Sequence, residues 1–206
     1  MPLYVMSGRF KGRRLASPAG RDIRPSSGRM RIAVMNILGH AAVSGASVLD
    51  LYAGTGASGM EALSCGARRV LFVEQARPAL AALERNIEAL GLGREEVRVL
   101  RSDTARALGG RLPLEFAPFD IVFCDPPYEV YRSAASAHSL RVGLGSVVGR
   151  GAFSPGGTLV VEHPAAVGFG APPAGLVEVD RRRYSAAGVS FFRLRPSATT
   201  GISAAS

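Results

Sequence analysis

The chain has 206 residues, 47% hydrophobic and 20% charged, which suits one ordinary domain with its own core and excludes a disordered chain. No apolar run approaches the roughly eighteen residues of a membrane span, and Met1-Pro2-Leu3-Tyr4-Val5 lacks the basic front and apolar block of a signal peptide. Two cysteines, Cys65 and Cys124, are too few for a disulfide scaffold and point to the cytoplasm. The net charge of +9 sits at the ends: residues 1–31 carry eight basic side chains and one acid, Asp22, whereas residues 32–175 carry twelve basic and thirteen acidic ones. Arginine codon bias explains why Lys11 is the sole lysine, but not why the first thirty residues hold a single acid, so a polyanion partner such as nucleic acid is expected.

In chain order, residues 3–15 read as two short strands around Ser7-Gly8 and Gly12, followed by a loop from Pro18 to Pro25. A helix is predicted near Arg29 to Leu38 from the spacing of Met30, Val34, Ile37 and Leu38. From Ser47 onward strand and helix alternate. Strands are expected at 47–52, 70–73, 97–100, 119–124 and 158–162, with helices at 58–65 and 77–90. The second helix is the clearest, with Leu80, Leu83, Ile87 and Leu90 on one face and Gly91 as its stop. Two further strands, 176–184 and 188–195, flank Ala186-Ala187-Gly188 and would close the sheet with an antiparallel edge. This alternation argues for an α/β fold, a doubly wound and mostly parallel sheet covered on both faces. The tail 196–206 is small, uncharged and expected to be disordered.

Two motifs carry chemistry. Gly54, Gly56 and Gly59 form G-x-G-x-x-G between a strand and a helix, where backbone can approach a ligand closely. Asp50 precedes them, Glu74 ends the next strand at the distance suited to ribose hydroxyls, and Asp103 follows the third strand within reach of an adenine. This set fits NAD, and it also fits S-adenosylmethionine, whose ammonium and sulfonium favour an acid such as Asp50. The fourth strand then ends in Asp125-Pro126-Pro127-Tyr128. An amino group on a nucleobase is a poor nucleophile because its lone pair is delocalised. The Asp125 carboxylate and the Pro126 carbonyl can hold its two N–H bonds, two prolines stiffen that backbone, and Tyr128 can stack on the base. Such a motif has no use in a dehydrogenase, so it favours S-adenosylmethionine. His40, His138 and His163 have no partners at metal-ligand spacing, and no metal is expected.

With Ser7-Gly8-Arg9-Phe10-Lys11-Gly12-Arg13, Ile23-Arg24-Pro25-Ser26-Ser27, Arg29, the stretch from Asp50 to Glu61, Val73-Glu74 and Asp125 to Tyr128, the chain resembles the RsmD family. These are class I S-adenosylmethionine-dependent methyltransferases that modify the N2 amine of guanine 966 in bacterial 16S ribosomal RNA. The resemblance implies a Rossmann-like seven-stranded sheet with an N-terminal β-hairpin extension that grips RNA, and a partly assembled small ribosomal subunit as substrate. The sequence departs from the family at Gly28, Ile32 and Ala76, where acids are usual, and at Cys65, Ser185 and Ala187.

The expected organisation is a basic hairpin extension over 1–27, a methyltransferase domain over 28–195 and a tail over 196–206. The chain is expected to be a cytoplasmic monomer. Asp125, Pro126 and Tyr128 would be catalytic. Asp50, Ala53, Gly54, Gly56, Glu74 and Asp103 would hold S-adenosylmethionine, and Arg9, Lys11, Arg13, Arg14, Arg24 and Arg29 would meet RNA phosphates. Alternatives are a methyltransferase for another amino group (adenine N6 or a protein glutamine), an NAD-dependent oxidoreductase, and a non-catalytic RNA-binding assembly factor.

Overall fold

A computed structural model of the chain describes residues 2–18 and 26–195, with the side chains of Ser26 and Ser27 excepted. Arg24, most of the Arg-Pro segment and the tail 196–206 lie outside the described residues. Strands β1 (Leu3–Tyr4) and β2 (Arg14–Leu15) pair antiparallel and are joined through a 3-10 turn at Gly8–Phe10. Helices α1 (Ser26–Leu38) and α2 (His40–Val43) lead into the main sheet. Its strands are β3 (Ser47–Leu51), β4 (Arg69–Glu74), β5 (Val97–Arg101), β6 (Phe119–Cys124), β7 (Phe153–Pro164), β8 (Leu176–Tyr184) and β9 (Ala187–Leu194). They stand in the order β5-β4-β3-β6-β7-β9-β8, and β9 alone runs opposite to the other strands. The order reverses at β3, between β4 and β6, and the crevice at that switch point is where open α/β sheets hold ligands.

Alternation along the strands divides the core in two. Val48, Val70, Phe72, Ile121, Phe123 and Val160 face α1, the hairpin, α3 (Ala57–Ser64) and α4 (Arg77–Ala89). Leu49, Leu51, Leu71, Val73, Val122 and Leu159 face the other way, toward α5 (Thr104–Arg106), the turn that continues it to Arg111, and α6 (Ala134–Gly149). Both faces are covered, so the central strands read as continuous apolar runs; all five residues of β3 are buried.

The expected strands and helices are present; the short helices α2 and α5 were not expected, and two larger differences concern β7 and α6. β7 begins at Phe153 rather than near Thr158, because a register irregularity beside Gly156-Gly157 lets the earlier segment also pair with β6. α6 was not expected from the sequence. Its inward residues Leu140, Leu144 and Val147 are separated by Gly, Ser and an exposed Val142, which blurs the apolar stripe.

Candidate active site

At the carboxyl ends of β3, β4 and β6 lies a cavity of about 690 Å³. Its lining includes Asp50, Ala53, Gly54, Glu74, Asp125, Pro126 and Tyr128, so seven of the nine expected catalytic and cofactor residues meet in one place. The register explains this. Asp50 lies opposite Phe72 on β4 and Phe123 on β6, and Cys124 pairs with Leu51 and Val161, so the backbone reaching Asp125 emerges just beyond the glycine turn.

Each glycine of the motif has its own work. Gly54 lines the cavity, and a Cβ there would meet nothing closer than the Tyr52 carbonyl at 3.9 Å, so the turn leaves room on its cavity side. Gly56 is buried, does not line the cavity and caps α3 with φ of +80°. A Cβ on Gly56 would stand 2.4 Å from Leu83 Cδ1, and one on Gly59 2.4 Å from the Phe72 ring. The structure therefore makes Gly56 a packing and capping residue rather than a ligand contact.

Asp50 is 3% exposed, and its Oδ2 accepts from the Gly59 amide at 2.9 Å. Burial pushes its carboxyl up to about 8, against the pull of that amide, and the nearby carboxylates of Asp125 and Glu74 add to the rise. Glu74 is held from three sides: Gly54 N donates to Oε2 at 2.7 Å, while Gln75 N and Ala76 N donate to Oε1 at 2.8 and 2.7 Å. The three amides orient this carboxylate before any ligand arrives, and its remaining lone pairs suit a diol.

In the tetrapeptide, Pro126 is buried while Asp125 is exposed and Tyr128 half-buried. Tyr128 opens a 3-10 turn that runs to Arg132, and Val130 N donates to the Pro127 carbonyl at 2.9 Å. The Tyr131 hydroxyl donates to the Glu162 carbonyl at 2.8 Å, tying this turn to the end of β7. Burial pushes the Tyr131 phenol upward, so it stays a donor throughout the neutral range.

Some expected residues lie elsewhere. Asp103 does not line the cavity; its carboxylate accepts from Arg106 N at 3.1 Å, and it borders a second recess with Gln75, Arg101 and Arg106. Only Gln75 lines both. The hairpin packs on α3 and α4. Met6 N donates to both oxygens of buried Glu61, Phe10 N to Ser64 Oγ, and Ala16 N to Asn86 Oδ1. Its base reaches the cavity, which Leu3, Ser17 and Pro18 help to line. Its tip runs to the opposite end of the sheet: Arg9 pairs with Glu96 just before β5, and Arg13 donates to the Ala89 carbonyl at the end of α4. Exposed Lys11 belongs to that tip. Exposed Arg29 adjoins the cavity-lining Met30, and exposed Arg14 pairs with Tyr4 next to Leu3.

Sequence reasoning missed Tyr52, Thr104, Glu162 and Arg31, all of which line the cavity. Tyr52 takes φ of +58°, a left-handed conformation costing a non-glycine residue about 1–2 kcal/mol, and its phenol bonds the Thr104 side chain. An aromatic directly between the strand acid and the glycines was the available signal.

A buried cation-seeking acid, a pre-oriented carboxylate at the end of the next strand and a glycine turn open on its cavity side together fit S-adenosylmethionine. No group of residues suited to a metal ion exists among the described residues, and no helix there is long and apolar enough to cross a membrane.

Residues 3–193 match the family described as conserved hypothetical protein 95. The chain is 30% identical over 193 residues to YlbH of Bacillus subtilis (strain 168), named as a candidate rRNA methyltransferase, covering 94% of this chain and 100% of that one. It is 34% identical over 126 residues to ribosomal RNA small subunit methyltransferase D of Escherichia coli (strain K12), a match spanning 61% of this chain and 60% of that enzyme. The solved structure of yhhF from Escherichia coli, described as a candidate methyltransferase, superposes with a TM-score of 0.77 at 25% identity over 94% of this chain and 98% of its own.

Proposed function

The chain belongs to the RsmD family of methyltransferases, the family described as conserved hypothetical protein 95, and from that premise we propose that it methylates the exocyclic N2 amine of a guanine in small-subunit ribosomal RNA. The observation that carries the proposal is the meeting of Asp125-Pro126-Pro127-Tyr128 with Asp50 and Glu74 in one cavity.

S-adenosylmethionine supplies the methyl group as an electrophile on a sulfonium. Glu74 binds the ribose hydroxyls, and Asp50 lies beneath the glycine turn to meet the positive charge at the methionine end. Asp125 and the Pro126 carbonyl accept the two N–H bonds of the guanine amine and turn its nitrogen lone pair toward the methyl donor. Tyr128 stacks on the base, and Asp125 takes the surplus proton once the nitrogen has gained its fourth bond. Arg29, next in the chain to the cavity-lining Met30, and Arg14, on the hairpin strand beside Tyr4, meet phosphates near the target nucleotide, with the hairpin over residues 1–27 as the RNA-facing extension. Arg9, Lys11 and Arg13 at the tip meet RNA only where it follows the flank of the molecule to the far end of the sheet. On this reading the substrate is a small-subunit assembly particle, and the target is the guanine that the family modifies at position 966 of 16S RNA.

Labelled S-adenosylmethionine, small subunits lacking guanine methylation and analysis of the digested nucleosides test this. N2-methylguanosine at that position is the expected product. Methylated adenosine, or label on protein glutamine, would replace the guanine reading with another amino-group acceptor. Absence of any transfer despite cofactor binding would favour an assembly factor.

A further inference from the structure

The cavity holds a charge that the proposed chemistry does not use. Among the described residues that line it, Asp50, Glu74, Asp125, Glu129 and Glu162 are acidic and Arg31 alone is basic. Arg31 lies on α1 and is only 8% exposed. One guanidinium nitrogen donates to the Tyr4 carbonyl at 3.1 Å. Its Nε is buried without a hydrogen-bond partner among the described residues. The Glu61 Oε2 is 3.9 Å from that Nε, beyond hydrogen-bond length, and both Glu61 oxygens already accept from Met6 N. Burial draws the guanidinium down from its ordinary value, with Glu61 offsetting part of the effect. A buried fork of donors with an unused N–H is costly unless an oxyanion completes it.

We infer that Arg31 binds the α-carboxylate of the methionine end of S-adenosylmethionine. The inference rests on the cofactor reading above. Asp50 suits the cationic parts of that ligand, none of the five acids suits its single anion, and that anion is left to the single cation. Depth decides against an RNA phosphate: a polymer backbone passes over the mouth, where exposed Arg29 stands on the same helix, whereas the free carboxylate of a small molecule can reach a side chain this enclosed. Tyr4 and Glu61 place Arg31, so the hairpin and α3 both help to position the carboxylate.

Calorimetric titration compares S-adenosylmethionine with decarboxylated S-adenosylmethionine, which keeps the sulfonium and ammonium and lacks only the carboxylate. The natural protein is expected to prefer the carboxylated ligand by a factor on the order of thirty. In Arg31→Gln the ratio should fall to within about threefold, because the variant loses the carboxylate contact but keeps those to the rest of the ligand. The ratio within one variant is insensitive to a general loss of stability. Should Arg31→Gln fail to fold by circular dichroism, Arg31→Lys carries the test, and its ratio should drop about fivefold because an ammonium cannot reproduce the bidentate fork. An unchanged ratio in the folded variant overturns the inference, as does indifference of the natural protein to the carboxylate. Failure of the natural protein to bind either ligand would instead strike the cofactor reading itself.

Discussion

Asp50 shows how one residue joins the fold to the chemistry. Its carboxylate accepts from Gly59 N and so anchors the start of α3, yet it is buried among other carboxylates with a carboxyl raised to about 8. Its unfolded value is near 4, so between about pH 4 and pH 8 the ligand-free native state binds a proton that the unfolded chain does not. Stability contributed by this group is complete below that lower value and is lost as pH rises through 8. Asp50→Asn should flatten the decline in melting temperature between pH 5 and pH 8. A cationic ligand reverses the preference and holds Asp50 ionised. At pH 7, S-adenosylmethionine binding should therefore release about one proton, measured as a dependence of calorimetric heat on buffer ionisation, and Asp50→Asn should abolish the release. The same residue separates what was legible from what was not. Asp50, Glu74 and the tetrapeptide stand out because acids and prolines directly after apolar strands are unusual. Arg31 does not, because an arginine near a helix start reads as a solvent-facing charge, and only the packing of Tyr4 and Glu61 around it shows its burial.

Among the elements, the hairpin is present as the sequence led one to expect, and its docking is what only the structure shows. The family resemblance implied a hairpin extension that grips RNA, and the structure docks it along α3 and α4 through Glu61, Ser64 and Asn86. Gly8 makes that docking possible. It takes φ of +72°, and a Cβ there would fall 1.8 Å from the Ser64 carbonyl oxygen, which is backbone and cannot step aside. Gly8→Ala should therefore lift the tip from α3 at a cost of about 2–3 kcal/mol. The readout is a lower melting temperature with faster tryptic cleavage at Arg13 and Arg14; a variant as stable and protected as the natural protein would refute the docking. The sheet and the helix of residues 77–89 were legible because strand runs and a strong 3.6-residue stripe are local signals. α6 was not, since small residues interrupt its inward face, and neither was the hairpin's packing, which depends on buried polar groups on α3 and α4, about fifty to seventy residues away in sequence.

For the whole molecule, the charge is divided by the sheet. The cavity, whose lining includes Met30 next to exposed Arg29, lies at the carboxyl ends of the parallel strands, and the hairpin tip with Arg9 at the other end. An RNA centred on the cavity should feel the two arginines unequally. Arg29→Ala should weaken RNA binding and lower the slope of log affinity against log salt by about one, while Arg9→Ala should leave the slope nearly unchanged. Equal effects would mean that RNA follows the hairpin to its tip. The central claim is that methyl transfer takes place at Asp125, on an amine held beside the glycine turn. Single-turnover transfer to unmethylated small subunits, with saturating S-adenosylmethionine and its affinity measured in parallel, tests it most directly. Asp125→Ala should bind the cofactor within about threefold of the natural protein and slow transfer by about a thousandfold or more. Transfer within about tenfold of the natural rate, with the cofactor bound, would place the chemistry elsewhere.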